Sequence, residues 1–421
     1  MTRTIQPGTR TGKVNIISSK SCAHRLIILA ALAKSASTVT CRGTSADIEA
    51  TIDCVTALGA RVARNGDTIS IEPIHKVPDN LCELHCRESG STLRFLLPVV
   101  GALGAKAVFI MEGRLGERPL KPLDQVLTAH GMNISKDGNR LYCSGSLTPG
   151  EYSIDGGVSS QYISGLLMAL PLLYSKSTLD ITGRLESAAY IDITLNALSL
   201  AGAVPGCSSD RRHYDIAGKS EYNLGTCSAE GDWSNAAFFL CMGALSKLGI
   251  TVCNLNPASC QGDRKICEIL SEMGADVQIG ANEVSVKRRE LKPIEIDASP
   301  IPDLIPALCA LAANASGDTR IINAQRLRLK ESDRIKSTLN MLMSLGVNAE
   351  ETPDGLIIHG TGNVHGGTVD AYNDHRIAMA AAVAASNASE SVIIEGSECV
   401  KKSYPAFFET LETLAAEGEN T

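Results

Sequence analysis

Eight short segments of this chain place cations, hydroxyls or a carboxylate just ahead of an apolar run. The first half has Ser18-Ser19-Lys20-Ser21-Cys22-Ala23-His24-Arg25 and Glu88-Ser89-Gly90-Ser91-Thr92-Leu93-Arg94. It also has Gly113-Arg114-Leu115-Gly116-Glu117-Arg118-Pro119 and Gly156-Gly157-Val158-Ser159-Ser160-Gln161-Tyr162. The second half has Ile301-Pro302-Asp303-Leu304, a dense charge run at 326–334, Tyr372-Asn373-Asp374-His375-Arg376 and Lys401-Lys402-Ser403-Tyr404-Pro405. A helix start presents unsatisfied N–H groups and the positive end of the dipole, so hydroxyls and cations there suit an anion. Each segment alone has a plainer meaning: Ser159 or Asp303 as a helix cap, 326–334 as a solvated face. Taken together they aim many cations at one small, highly anionic substrate set, with Arg as the fork for carboxylate or phosphate and Lys as a point charge. A nucleic-acid surface would spread its basic residues among aromatic platforms. Aromatics are 4% here and the net charge is −7.

The elements that must carry these segments recur. A helical apolar stretch, a Gly and a short alternating hairpin return around Gly59, Gly131, Gly202, Gly274 and Gly346, spaced 71 or 72 residues apart, with a sixth copy due at Gly418. Such a period marks duplicated units. Each Gly reads as the left-handed residue that stops a helix, and the hairpin follows it. A second helix upstream, such as CAHRLIILAALAKS, makes each unit strand, helix, strand, helix and hairpin. The 421 residues then divide into six units of about 72, hence two lobes of three. The sixth copy ends before its hairpin strands, and residues 4–16 could complete it. The expected division is 17–228 for one lobe, 1–16 with 229–421 for the other, and a hinge near 12–19 and 223–230 beside a ligand-closing cleft.

Several classes are set aside. No GxxxxGK[ST], HExxH or GxSxG occurs, nor a GxGxxG between strand and helix. The fourteen cysteines include no CxxC pair. Around the tightest pair, Cys82 and Cys86, the segment alternates as a half-buried strand does, with no second ligand pair for zinc. The cysteines read as reduced core residues. Neither an apolar leader nor a spanning run of about 18 residues is visible. At 44% hydrophobic the chain reads as a soluble, cytoplasmic, globular protein, and a monomer.

The segments together resemble the 5-enolpyruvylshikimate-3-phosphate synthases of the enolpyruvyl transferase family. SKSxxxR, GSTLR, ERPL, SSQ, YIDITLNAL, EGDWSNAAFF, IPD, LKESDR, YNDHR and KKSYP follow that family's blocks nearly end to end. The resemblance implies a mixed α/β fold of two lobes, each built from three βαβαββ units as an inside-out barrel. It also implies transfer of the enolpyruvyl group of phosphoenolpyruvate to the 5-hydroxyl of shikimate 3-phosphate, with no metal or organic cofactor. Carried over residue by residue, Lys20, Ser21 and Arg25 would hold shikimate 3-phosphate. Ser159, Ser160 and Ser187 would bind its phosphate, with Gln161 and Tyr190 along its ring. Arg118, Arg334, Arg376 and Lys402 would grip phosphoenolpyruvate, with Gly90 and Ser91 giving close backbone approach and Lys20 and Gln161 alongside. Asp303 would act as base, Lys330 would bridge both substrates and Glu331 would deliver a proton to the methylene carbon.

Three positions depart from the family pattern: Glu88 where Asn is frequent, Phe95 where Pro is frequent, and Arg326 for an Asn that touches substrate in some members. Gly90 is kept, which leaves no methyl to crowd an inhibitor such as glyphosate. The sister enzymes acting on UDP-N-acetylglucosamine typically carry Lys-Asn at Lys20-Ser21 and a reactive Cys in the loop at 113–119, which has none here. The RNA 3′-phosphate cyclases use a covalent His-adenylate, and no His lies in a matching context. A non-catalytic relative would not need Asp303, Lys330 and Glu331 together.

Overall fold

The computed structural model describes residues 1–417, so Gly418, the expected sixth repeat glycine, lies outside the described residues. The chain forms two compact units: a continuous one, Ser18–Ala229, and a split one, Met1–Ile17 with Glu230–Thr421.

The continuous unit contains three four-stranded sheets among the described residues. In one, Cys82–Arg87 runs parallel to Ala107–Met111, which pairs antiparallel with the hairpin Met132–Asp137 and Arg140–Gly145. Glu151–Asp155, Ser177–Thr182, His213–Ile216 and Gly206–Cys207 follow the same order. The remaining sheet joins Thr226–Ser228 in parallel to Ser37–Thr40, followed by Thr68–Glu72 and Arg61–Asn65. Parallel neighbours need a crossover. Gly90–Leu103 and Ser160–Ala169 supply two of them and pack on each other, apolar nearly all round as buried helices must be.

In the split unit the N-terminal residues are stitched into sheets completed by distant chain. Thr2–Ile5 pairs antiparallel with Val392–Glu395, itself parallel to Gly367–Asp370. Arg10–Asn15 lies parallel to Ile250–Cys253 and antiparallel to Ala415–Ala416. A third sheet holds Glu295–Asp297, Gly317–Ile322, Gly355–Gly360 and Asn348–Thr352. The helices Ile305–Ala312 and His375–Ala385 are buried along their whole length, and Phe238, Phe239, Tyr404 and Phe407 interlock edge to face or tilted beside them.

The helix-stopping glycines do the work their spacing suggests. Gly59, Gly131, Gly202, Gly274 and Gly346 each follow a helix with φ between +73° and +112°, where a Cβ would clash. Cys82–Arg87 is the alternating strand expected, with Cys82, Leu84 and Cys86 inward and Glu83 and His85 outward. The cysteines need one correction: all are free thiols and most are buried, but Cys207 is exposed, because its strand is a two-residue sheet edge.

Candidate active site

In the continuous unit the predicted residues gather where four helices begin. Ser19 caps Lys20–Ala31 by accepting from the Cys22 N–H, which puts Lys20 in the first turn with its Nζ 2.8 Å from Asp47 Oδ2. Arg25 sits one turn on and is only 1% exposed. Its Nε donates to Thr194 Oγ1 at 2.7 Å, and Nη2 donates to Ser164 Oγ at 3.2 Å and to the Tyr190 carbonyl at 2.9 Å. Nη1 closes onto the Ser21 carbonyl at 2.7 Å. Arg25 therefore ties Ser21 and Tyr190 into one frame. The Phe95 departure fits beneath it, with the guanidinium carbon 4.6 Å above the ring centre.

Ser89 caps Gly90–Leu103, and Ser159 caps Ser160–Ala169 by accepting from the Gln161 N–H. The Gln161 amide joins these two helix starts: Nε2 donates to Ser91 Oγ at 2.9 Å while Oε1 accepts from Arg94 Nη1 at 2.8 Å. Arg94 also donates to the Pro119 carbonyl, beside Arg118. A methyl on Gly90 would lie 2.9 Å from Arg118 Nη1 and 3.0 Å from Arg94 Nη1, so the absence of a side chain is what lets two guanidinium groups approach this backbone. Glu88 packs against the turn at Gly113, where a methyl would meet its Oε2 at 2.5 Å. Ser187 precedes Ala188–Leu200 in a left-handed conformation with φ +52° and is buried. Beneath Lys20, a chain of side-chain hydrogen bonds runs from His24 Nδ1 through Thr51 and Thr92 to Ser89. Burial, with Lys20 and Arg25 adding to it, holds His24 well below the usual imidazole range, so it stays neutral.

The split unit gathers a different set. The helix after Asp303 takes Leu304 as its N-cap with no side-chain cap bond, so capping is not what engages Asp303. Its carboxylate instead meets three cations: Arg334 Nη1 at 2.7 Å, Arg376 Nη2 at 3.3 Å and Lys330 Nζ at 3.4 Å. The charge run at 326–334 is no solvated face, since Arg334 is 1% exposed. Asp333 caps Arg334–Ser344, which turns Arg334 inward. There its Nε reaches Asp374 Oδ2 at 2.8 Å and its Nη2 reaches Glu331 Oε2 at 2.6 Å. Asp374 also caps His375–Ala385 by accepting from the Arg376 N–H, and Arg376 Nη1 donates to the Asp303 carbonyl. Lys402 ends a 3₁₀ turn with its Nζ on the Asn373 carbonyl at 2.6 Å.

Electrostatics here are strong. Burial pushes the Lys330 ammonium down to about 8; Asp303 opposes this, while Arg334 and the departing residue Arg326 add to it. Burial would lower Arg334 too, but Asp374, Glu331 and Asp303 outweigh it and hold the guanidinium charged. Sequence reasoning left several partners unassigned: Asp47, Arg94, Thr194 and Ser164 in one unit, Asp374 in the other. Asp374, Arg94 and Thr194 lie within the quoted segments; Asp47 and Ser164 carry no local signal because their meaning is a contact with distant chain. No cluster of three or more His, Cys, Asp or Glu suited to a metal is found among the described residues. No helix among them is long and apolar enough to cross a membrane.

The sequence model of the EPSP synthase family, described as 3-phosphoshikimate 1-carboxyvinyltransferase, matches residues 5–411. A 3-phosphoshikimate 1-carboxyvinyltransferase from Clostridium kluyveri is 42% identical over 98% of this chain and 97% of its own. Its counterpart from Clostridium perfringens is 41% identical over 97% of each. Among solved structures, an EPSP synthase from Acinetobacter baumannii superposes with a TM-score of 0.82 and 25% identity, covering 99% of this chain and 98% of that one. Likeness of this extent, in sequence and in mixed α/β fold alike, leaves one conclusion: the chain belongs to the EPSP synthase family.

Proposed function

We infer that this chain transfers the enolpyruvyl group of phosphoenolpyruvate to the 5-hydroxyl of shikimate 3-phosphate, releasing phosphate, in the shikimate route to aromatic amino acids. The observation that carries the mechanism is the single carboxylate of Asp303 held by Lys330, Arg334 and Arg376. A carboxylate so held is a weak base, because each cation favours its ionised form. Phosphoenolpyruvate, an anion, competes for Arg334 and Arg376. As their donors turn to it, Asp303 and Glu331 both become more basic. Asp303 can then take the hydroxyl proton, and Glu331 can carry a proton to the methylene carbon.

Protonation makes the adjoining carbon cationic, the alkoxide oxygen bonds to it, and a tetrahedral intermediate forms. Its collapse returns a proton from the new methyl group to Glu331 and expels phosphate, whose charge Lys20, Arg118 and Lys402 neutralise. In this reading Lys20, Ser21, Arg25, Ser159, Ser160, Ser187, Gln161 and Tyr190 hold shikimate 3-phosphate together with Lys330. Arg118, Gly90, Ser91, Arg334, Arg376 and Lys402 serve phosphoenolpyruvate, with Lys20 and Gln161. The chemistry calls for no metal or organic cofactor. Transfer to UDP-N-acetylglucosamine is the competing reading, and the Lys20-Ser21 pair disfavours it.

Mixing the folded chain with shikimate 3-phosphate and phosphoenolpyruvate should release one phosphate per enolpyruvyl ether formed. Release with UDP-N-acetylglucosamine but not with shikimate 3-phosphate would overturn the reading. The enzyme works as a cytoplasmic monomer, which sedimentation and cell fractionation check.

A further inference from the structure

The continuous unit buries an imidazole that no step of the proposed reaction uses. His24 lies on Lys20–Ala31 and is fully buried. Its ring stands edge to face with Phe95, 6.3 Å between centres and 80° between planes. Nδ1 is 2.6 Å from Thr51 Oγ1, whereas Nε2 is buried with no hydrogen-bond partner among the described residues.

Two helices are joined here at successive turns. Lys20 reaches Asp47 near the start of Ala46–Ala57, and one turn further along each helix His24 reaches Thr51. The hydrogen bonds then cross to a third helix, since Thr51 Oγ1 is 2.7 Å from Thr92 Oγ1, in the first turn of Gly90–Leu103. Thr92 donates its hydroxyl to Ser89 Oγ at 2.8 Å and its backbone N–H to the same oxygen at 3.2 Å. Ser89 caps that helix, and Gly90 and Ser91 are its first two residues.

The place of each proton follows. A hydroxyl carries one proton. That of Thr92 goes to Ser89, the nearer acceptor, rather than to the Asp47 carbonyl at 3.5 Å. Thr92 must then accept from Thr51, and Thr51, its own proton already given, must accept from His24. The imidazole is therefore protonated at Nδ1 and bare at Nε2. The burial of Nε2 argues the same way, because a buried N–H without an acceptor is rarer and costlier than an unused lone pair.

We propose that His24 is a positioning residue for phosphoenolpyruvate: its Nδ1–H heads a one-way chain of hydrogen bonds that fixes the Ser89 oxygen, and with it the helix start presenting Gly90 and Ser91. The proposal rests on the functional reading given above. In this direction the Ser89 oxygen holds the first turn twice, by the hydroxyl and the N–H of Thr92. Reversed, the chain would turn the Thr92 hydroxyl towards Thr51 and leave the N–H alone.

The test measures the KM for phosphoenolpyruvate by phosphate release at saturating shikimate 3-phosphate, beside the dissociation constant of shikimate 3-phosphate. His24→Leu removes the head of the chain. It should raise that KM about tenfold, the scale of one lost hydrogen bond, and leave the dissociation constant within about twofold. His24→Asn offers an amide N–H near the Nδ1 position and should keep the KM within about twofold of the wild type. If His24→Leu does not fold, Thr51→Val cuts the next link with little change of shape and should raise the KM alike. Where both fold, the double variant should raise it no further than either change alone. A role in packing alone would lower the folded fraction and leave the KM unmoved. An unmoved KM, or full additivity, overturns the proposal.

Nitrogen-15 NMR of the His24 ring reads the tautomer without turnover. A protonated Nδ1 with a bare Nε2 is expected, and the reverse overturns the proposal. A wild type that released no phosphate yet kept the Nδ1–H tautomer would sink the functional reading and leave the hydrogen-bond chain standing. Release by the wild type with an unmoved KM in His24→Leu would sink the positioning role alone.

Discussion

In the continuous unit Arg25 and Arg94 donate to hydroxyl, amide and backbone oxygens, whereas in the split unit Arg334 and Arg376 donate to the carboxylates of Asp303, Glu331 and Asp374. Burial is not the difference, since Arg25 and Arg334 are each 1% exposed. A guanidinium fixed by neutral oxygens keeps its full charge and a rigid pose, which suits holding a dianion that does not react. A guanidinium fixed by carboxylates has its charge nearly cancelled, and a newcomer changes the proton affinity of everything it touches. On the proposed reading, the first arrangement binds and the second moves protons.

The largest test of this contrast is Asp303→Ala. Turnover should fall by roughly two to four orders of magnitude, the scale of a lost acid–base group, when followed by phosphate release. A loss below about tenfold would mean that the split unit is not where protons move.

Next comes a paired comparison of stability by urea unfolding. Arg334→Met leaves the fully buried Asp374 without its cation and should cost about 3–5 kcal/mol. Arg25→Met takes donors from the Thr194 and Ser164 hydroxyls and the Ser21 and Tyr190 carbonyls and should cost about 1–3 kcal/mol. Equal costs would erase the distinction between the two kinds of anchor.

Gly90→Ala presses a methyl against Arg118 and Arg94. The expected result is a KM for phosphoenolpyruvate raised about tenfold with the affinity for shikimate 3-phosphate little changed, as equilibrium binding would show. The smallest effect concerns Lys330. A lysine lowered to about 8 loses its charge as the pH rises through that value, so binding of anionic substrate should weaken on the alkaline side. Removing the Arg326 cation favours the charged ammonium and should move that limb to higher pH by on the order of half a unit. A shift to lower pH would contradict the assignment.

How far the sequence speaks depends on the range of each interaction. The helix stops at Gly59 and its four counterparts were legible because only one residue type sits comfortably at positive φ, and the strand at Cys82–Arg87 because alternation is local. Ser159 as a cap was legible for the same reason. The site residues could be nominated by their blocks, but what they bond to could not. Arg25 finds Thr194 and Ser164 at separations of 169 and 139 residues, and Arg334 finds Asp374 at 40. Such pairings are products of packing. On the proposed reading they also decide whether a cation holds substrate or tunes a proton-carrying carboxylate.

The stitching of the N-terminal strands into the split unit also sets a timetable for synthesis. Met1 closes on Glu398, 397 positions away, and a ribosome needs roughly 20–80 s to cover that distance. Throughout that interval the continuous unit can assemble while Thr2–Ile5 trails from the nascent chain as a strand edge without a neighbour; Arg10–Asn15 waits only until Ile250–Cys253 has been made. An open edge invites pairing with other chains, and charged side chains are the usual deterrent. Arg3, Arg10 and Lys13 are spread along those two strands. Charges so placed oppose pairing of a waiting edge with another chain.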